Sequence, residues 1–159
     1  MSEPSKKPTA LLPLVLTAAL LAAILVVPRV LREPAALPAA FQPAPLDAAI
    51  ERGREASKPV LVLVTSDTCA ACDRLKRTTL SDDAVAAALA DRFIPVNVNE
   101  SVAPGDARRL PYRYLPTTLV IHDGAVVARL EGFRPTDDYL EWLNWAADAV
   151  QAPAPPGAP

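Results

Sequence analysis

Residues 58–72 have the sequence Lys-Pro-Val-Leu-Val-Leu-Val-Thr-Ser-Asp-Thr-Cys-Ala-Ala-Cys, and this stretch decides the fold. The run from Val60 to Thr65 is continuously apolar and β-branched, which is typical of a strand that is covered on both faces. The Ser-Asp-Thr sequence at 66–68 supplies turn and helix-capping groups. A helix is predicted to begin near Cys69 and to end at about Thr78. Both cysteines are therefore expected at a strand-to-helix turn, in the first turn of the helix.

Cys69 and Cys72 are the only cysteines of the chain. Residues i and i+3 of a helix share one face, with Cβ atoms about 5–6 Å apart, so a small adjustment allows a disulfide bond. In a strand–helix–strand setting, C-x-x-C spacing favours a redox pair. Two other interpretations stay open. One is half of a zinc site, although zinc takes four ligands and His122 is the only histidine. The other is an inert structural pair.

The hydrophobic pattern around this motif predicts an α/β domain at residues 46–150, with a central mixed four-stranded sheet flanked by helices. The Asp123-Gly124 dipeptide is a strong hairpin signal between the last two strands. The expected strands are 60–65, 93–98, 117–121 and 125–130, and the expected helices are 46–55, 69–78, 82–91, 103–114 and 135–150. Ser81 is the predicted N-cap of the helix at 82–91.

The ends of the chain differ from this middle part. Residues 10–27 form an uncharged apolar run that would span about 27 Å as a helix, close to a hydrocarbon core of about 30 Å. We therefore predict a transmembrane anchor, or an uncleaved signal, at residues 10–28. It follows a short tail at residues 1–9. An Ala/Pro-rich linker at residues 29–45 and a disordered tail at residues 151–159 complete the predicted organisation.

Composition excludes two classes of protein. The chain is 51% apolar, which argues against a disordered or fibrous protein. Its net charge of −2 gives no electrostatic reason to expect a nucleic-acid partner.

The sequence resembles the thioredoxin superfamily over roughly residues 58–145. The matching motifs are K-P-V-L-V-L-V, C-A-A-C, F-I-P-V-N-V-N, L-P-T-T-L-V and D-G-A-V-V-A-R-L-E-G-F. The segment T-L-S-D-D-A-V-A-A-A-L is similar to the C-terminal domain of the thiol:disulfide interchange family. The resemblance implies a thioredoxin-like fold, Cys69 as the attacking thiol and Cys72 as the resolving thiol. It also implies that Pro116 is a cis-proline facing the pair, and that Leu115 and Thr68 contact the substrate.

The sequence departs from the family's pattern at several positions near the motif. Leu63 stands where relatives often carry a buried acid, Thr68 where they carry tryptophan, and Asp73 where they commonly carry lysine. The two residues between the cysteines are alanines. These changes leave the thiol chemistry intact, but they affect the expected redox potential and proton handling.

The sequence thus predicts a membrane-tethered thiol–disulfide oxidoreductase, acting as a reductase on protein disulfides outside the cytoplasm. Its expected partners are protein thiol or disulfide substrates and a membrane protein that donates or accepts electrons. We expect no cofactor and no metal. The expected location is the inner membrane, with the catalytic domain in the periplasm or at the cell exterior, where disulfides persist. The alternative hypothesis is a thioredoxin-fold binding module that delivers Cu(I) on its two thiolates without turnover.

Overall fold

The structure, a computed structural model, describes residues 11–30, 35–42 and 44–151. The predicted tail at 1–9 lies outside these residues, as do positions 31–34 and 43 of the predicted linker and positions 152–159 of the predicted C-terminal tail. The chain divides into two units, Met1–Pro34 and Ala35–Pro159. The first unit contains helix α1, Leu11–Val30.

The transmembrane helix predicted at residues 10–28 is wrong. Within the described ranges, none of the helices combines the length and the apolar character that crossing a membrane requires. The prediction stood at the lower limit of length, because residues 10–27 in helical form reach only about 27 Å against a hydrocarbon core of about 30 Å. The predicted fold class is corrected on this point.

The second unit is built on a four-stranded mixed sheet, as the sequence predicted. The strands are β1 (Val60–Thr65), β2 (Ile94–Asn99), β3 (Thr117–His122) and β4 (Ala125–Glu131). Their order across the sheet is β2-β1-β3-β4. Strand β1 pairs in parallel with β2 and antiparallel with β3, and β3 and β4 form the antiparallel hairpin. Strand β1 is central, which explains why its six residues are all buried and all apolar or β-branched.

Helices cover both faces of the sheet. They are α2 (Leu46–Ala56), α3 (Ala70–Thr78), α4 (Asp83–Arg92), α5 (Pro104–Ala107) and α6 (Thr136–Gln151). Alternation along β1 directs Leu61 and Leu63 to one face, where they share a core with residues of α3, α4 and α6. Val60, Val62 and Val64 point to the other face and pack with residues of α2 and α5. The expected helix at 103–114 is reduced to α5.

Residues 35–42, which we call the leading segment, pack against the domain although they fall within the predicted linker. Phe41 is only 6% exposed and belongs to the core on the α3 face. Ala35 is 7% exposed, and its N–H donates a hydrogen bond to Asp73 Oδ1 at 3.2 Å. The packed domain therefore begins before α2.

Candidate active site

Cys69 lies where the chain leaves β1 and enters α3. Its backbone is extended, with φ −90° and ψ 96°, and it is the N-cap of α3. In place of the usual hydroxyl or carboxylate of an N-cap, the Cys69 Sγ atom accepts the N–H of Cys72 at 3.1 Å. The sulfur therefore sits at the end of the helix where N–H groups are unpaired and the dipole is positive. Both features favour a thiolate there once the bond is reduced.

Cys72 is joined to Cys69 by a disulfide bond, with a Cα–Cα distance of 5.2 Å. The two sulfur-bearing residues are not equivalent. Cys72 is 1% exposed and lies within the domain, whereas Cys69 is half-buried. A sulfur of an incoming substrate can therefore approach Cys69 but not Cys72. The predicted roles of attacking and resolving thiol stay predictions, and this difference in exposure supports them.

Pro116 immediately precedes β3, and the Leu115–Pro116 peptide bond is cis. Because β1 and β3 are antiparallel, with Val64 opposite Thr117, the start of β3 meets the end of β1 where the loop to Cys69 begins. The loop that carries Pro116 is held by two hydrogen bonds. The Thr117 hydroxyl donates to the Tyr114 carbonyl at 2.6 Å, and the Gly132 N–H donates to the Pro116 carbonyl at 2.7 Å.

Leu115 and Thr68 were predicted to contact the substrate. Thr68 is exposed and adjoins Cys69 in the sequence, and Leu115 is half-buried. Within the described part of the chain, no hydrogen bond involves the N–H or the carbonyl of Leu115. An extended substrate segment can therefore pair with this backbone, as in the addition of a strand to an edge. The substrate role of both residues stays a prediction.

Leu63 stands where relatives often carry a buried acid, and its neighbours on the adjacent strands are neutral polar residues. Leu63 is fully buried, and its register partners are Asn97 on β2 and Thr118 on β3. The Asn97 amide donates to the Leu63 carbonyl at 2.8 Å. The Thr118 hydroxyl pairs with the Tyr139 hydroxyl at 3.0 Å. Burial raises the pKa of Tyr139, so this phenol stays neutral.

Two charged residues follow the pair on α3, and the structure shows what each contacts. The Asp73 carboxylate accepts the N–H of Ala35, so its charge is partly satisfied by backbone. The Arg74 guanidinium lies 4.1 Å from the centre of the Phe133 ring. Sequence reasoning missed Phe133, although it ends the quoted motif D-G-A-V-V-A-R-L-E-G-F.

A second contact that the sequence did not indicate joins the loops on either side of α5. The Tyr112 hydroxyl donates to Glu100 Oε2 at 2.6 Å. This hydrogen bond raises the pKa of Tyr112, and burial raises it further. The contact ties the loop that leads to Leu115 to the loop that follows β2. The end of β2 is in turn tied to the loop before Cys69, because Asn99 Nδ2 donates to Asp67 Oδ1 at 2.7 Å.

Comparisons with known proteins agree with this geometry. The family of thioredoxin-like domains matches residues 46–147. A thioredoxin from Thermus thermophilus is 27% identical with a TM-score of 0.59, over 67% of this chain and 86% of that one. The oxidised C-terminal domain of Neisseria meningitidis DsbD is 25% identical with a TM-score of 0.52, over 63% of this chain and 90% of that one.

A further solved structure shows the fold alone. The oxidoreductase DsbH is 17% identical with a TM-score of 0.57, over 74% of this chain and 92% of that one. No curated protein sequence matches the chain. The predicted resemblance to the thioredoxin superfamily and to thiol:disulfide interchange proteins is confirmed. The chain belongs to the family of thioredoxin-like domains, and with its disulfide-forming pair Cys69–Cys72 it is a thiol–disulfide oxidoreductase.

Proposed function

We propose that the protein reduces disulfide bonds in protein substrates, with Cys69 as the attacking thiol and Cys72 as the resolving thiol. The observation that carries this proposal is the asymmetry of the pair. The Cys69 sulfur lies at the helix N-terminus in a half-buried residue and accepts an N–H, while Cys72 is buried one turn further on.

The reaction consists of two thiol–disulfide exchanges. The Cys69 thiolate attacks one sulfur of the substrate disulfide, and the other substrate sulfur leaves as a thiolate that takes up a proton. Cys72 then loses its proton and attacks the Cys69 sulfur. This step releases the second substrate thiol and forms the Cys69–Cys72 disulfide. Two electrons and two protons pass to the substrate. A dithiol donor must then reduce the Cys69–Cys72 disulfide again before the next cycle.

The surroundings of Cys69 support the reducing direction. An oxidant of this class needs its thiolate strongly stabilised, and its reduced form is then favoured. Here the sulfur accepts one backbone N–H, the intervening residues are alanines, and the Arg74 guanidinium lies over Phe133. Among the residues that the structure describes, the helix terminus is therefore the main source of stabilisation for the thiolate.

Reduction of insulin with dithiothreitol as electron donor tests the proposal. The chain should accelerate precipitation of the insulin B chain, and Cys69→Ser should abolish this activity. Arg54→Gln serves as a control, because Arg54 approaches Gly124 at the opposite end of β3 from Pro116. If the wild-type chain gives no acceleration and the reduced protein instead binds one Cu(I) per chain, the copper-delivery hypothesis is correct.

We also propose that the domain works outside the cytoplasm, with a membrane protein as its electron donor. The support is chemical: a dithiol acts as a reductant of protein disulfides where such disulfides form and persist. A reporter that is active only in the periplasm, fused after Val150, should be active. A stable but inactive fusion would refute this location.

A further inference from the structure

Arg74, Phe133 and Arg134 form a cluster that we call the arginine patch. The Arg74 guanidinium lies 4.1 Å from the centre of the Phe133 ring. Arg134 Nη1 donates a hydrogen bond to the Phe133 carbonyl at 2.9 Å. Two guanidinium groups therefore contact the same residue, one through its ring and the other through its backbone. A guanidinium on an aromatic ring keeps its hydrogen-bond donors free at the rim of the plane.

The arginine patch is linked along the chain to the cysteine pair and through a hydrogen bond to the cis-proline. Arg74 follows Cys72 by two residues on α3. Phe133 follows Gly132, which has a φ of +82° and donates its N–H to the Pro116 carbonyl at 2.7 Å. The other end of this loop is held at the C-cap of α3, because the Thr79 hydroxyl donates to the Arg134 carbonyl at 2.6 Å. The loop thus runs beside α3 from the cis-proline to the end of the helix.

The positive charges of the patch are not neutralised within the described residues. Four other arginines, at positions 54, 92, 109 and 129, each form an ion pair with a carboxylate. Arg74 and Arg134 form none with any carboxylate that the structure describes. The acid next to Arg74 in the sequence, Asp73, instead accepts the N–H of Ala35. The chain as a whole carries a net charge of −2, so a positive patch at this site is a local feature.

We propose that the arginine patch binds an acidic side chain of the substrate protein, close to the disulfide that is reduced. This inference rests on the proposed function and names the substrate class: proteins with Asp or Glu beside the target disulfide. The chemistry that recognises the substrate is charge-assisted hydrogen bonding from planar guanidinium groups to a carboxylate. Substrate binding would bring the carboxylate to Arg74 while the substrate sulfur meets Cys69.

The test uses the full chain and two disulfide-bonded peptides that differ only in having Glu or Gln beside one cysteine. In Arg74→Gln, kcat/KM for the Glu peptide should fall about threefold to fivefold through KM, as expected for an exposed ion pair. This difference between Arg74→Gln and the wild type should disappear at about 0.5 M salt, where the charges are screened. The Gln peptide should be unaffected. Arg134→Gln should act in the same direction, and the control Arg54→Gln should change neither substrate.

A second measurement separates substrate binding from an effect on the thiolate. The rate at which neutral iodoacetamide alkylates reduced Cys69 should be the same in Arg74→Gln and the wild type. A lower alkylation rate in Arg74→Gln, or an equal loss of kcat/KM on both peptides, would overturn the inference. The proposed function would still stand, provided that the wild-type chain reduces the Gln peptide. If the wild-type chain reduces neither peptide, the proposed function itself fails, and this inference fails with it.

Discussion

Cys69 and Cys72 lie three residues apart, and their positions relative to the helix give them different chemistry. The first precedes the helix and faces its unpaired N–H groups, whereas the second lies within the first turn and is 1% exposed. Such a buried thiol cannot meet a protein substrate, but it can meet the sulfur beside it. The difference in exposure therefore follows from the strand-to-helix turn and not from the identity of the intervening residues, and it supports the proposed difference in role.

Replacing Cys72 with serine should trap the reaction halfway. Because the resolving thiol is gone, mixed disulfides between Cys69 and substrate proteins should accumulate. They should appear as slowly migrating species on non-reducing gels and disappear on reduction. Cys69→Ser is the matched control and should form none. Mixed disulfides formed by Cys69→Ser would reverse the assignment of the two roles.

Tyr139 is a second residue whose surroundings have a measurable consequence. It is 1% exposed, and its hydroxyl pairs with that of Thr118. Tyr139→Phe should cost about 1 kcal/mol near neutral pH, because the Thr118 hydroxyl is left unpaired in the core. The exposed Tyr114→Phe is the matched control and should be neutral. Urea unfolding of the three proteins measures the difference.

The same residue should affect stability at alkaline pH. Burial raises the pKa of Tyr139 in the folded state, so above pH 10 the unfolded state loses this proton first. Stability is therefore complete below the unfolded value and falls as pH rises beyond it. The wild type should lose stability above pH 10 more steeply than Tyr139→Phe. Equal slopes for the two proteins would show that this phenol ionises in the folded protein as it does in water.

At the scale of elements, the junction of α3 and α4 depends on which side chain caps which helix. The sequence suggested Ser81 as the N-cap of α4. In the structure Asp82 is the N-cap, and its Oδ1 accepts the N–H groups of Ala84 and Val85 at 2.9 and 3.3 Å. The Ser81 hydroxyl instead donates to the Arg77 carbonyl at 2.7 Å and so helps to close the end of α3.

Asp82→Ala should therefore destabilise the domain by about 1 kcal/mol, the usual contribution of an N-cap. Asp83→Ala is the matched control: this neighbouring acid lies in the first turn of α4 and accepts no capping hydrogen bond. It should cost only a few tenths of a kcal/mol through the helix dipole. Thermal unfolding at pH 7 compares the two. A larger loss in Asp83→Ala would mean that the cap is assigned to the wrong residue.

The sequence predicted the elements whose signals are local. The buried run of β1, the Asp123-Gly124 turn and the C-x-x-C motif each identified its element within a residue or two. Contacts between distant segments were not predictable in this way. The expected helix at 103–114 ends at Ala107, because Pro111 cannot continue it and Tyr112 is held by Glu100. The stack of Arg74 on Phe133 depends equally on the tertiary fold, since neither residue signals the other along the chain.

At the scale of the whole molecule, the leading segment should be part of the folding unit. A chain that begins at Leu46 lacks Phe41, and the cavity left in the core should cost about 3 kcal/mol relative to a chain that begins at Ala35. Phe41→Ala in the longer chain should reproduce most of this loss. Gln42→Ala, at an exposed position, should not. If both chains unfold at the same urea concentration, the domain begins at α2.

The redox potential depends on the whole environment of the pair, and it decides the direction of electron flow. The Cys69 sulfur accepts one backbone N–H, Asp73 adds negative charge nearby, and Arg74 is held over Phe133. With the thiolate stabilised by little beyond the helix terminus, we expect a potential of about −200 to −270 mV, on the reducing side of this class. The buried Leu63 offers no carboxylate to accept the Cys72 proton, so we expect it to lower the rate of the second exchange more than the potential.

Equilibration against glutathione buffers measures this potential. Because Cys69 and Cys72 are the only cysteines, alkylation of the full chain followed by mass measurement reports the reduced fraction directly. Arg74→Gln should shift the value little, because its guanidinium lies on the Phe133 ring and is exposed to solvent that screens its charge. Asp73→Asn is the second variant to compare. Because it removes a negative charge beside the thiolate, it should stabilise the reduced form, so the potential should rise. A wild-type value near about −120 mV would instead place the protein with the strong oxidants. It would then insert disulfides into its substrates rather than remove them.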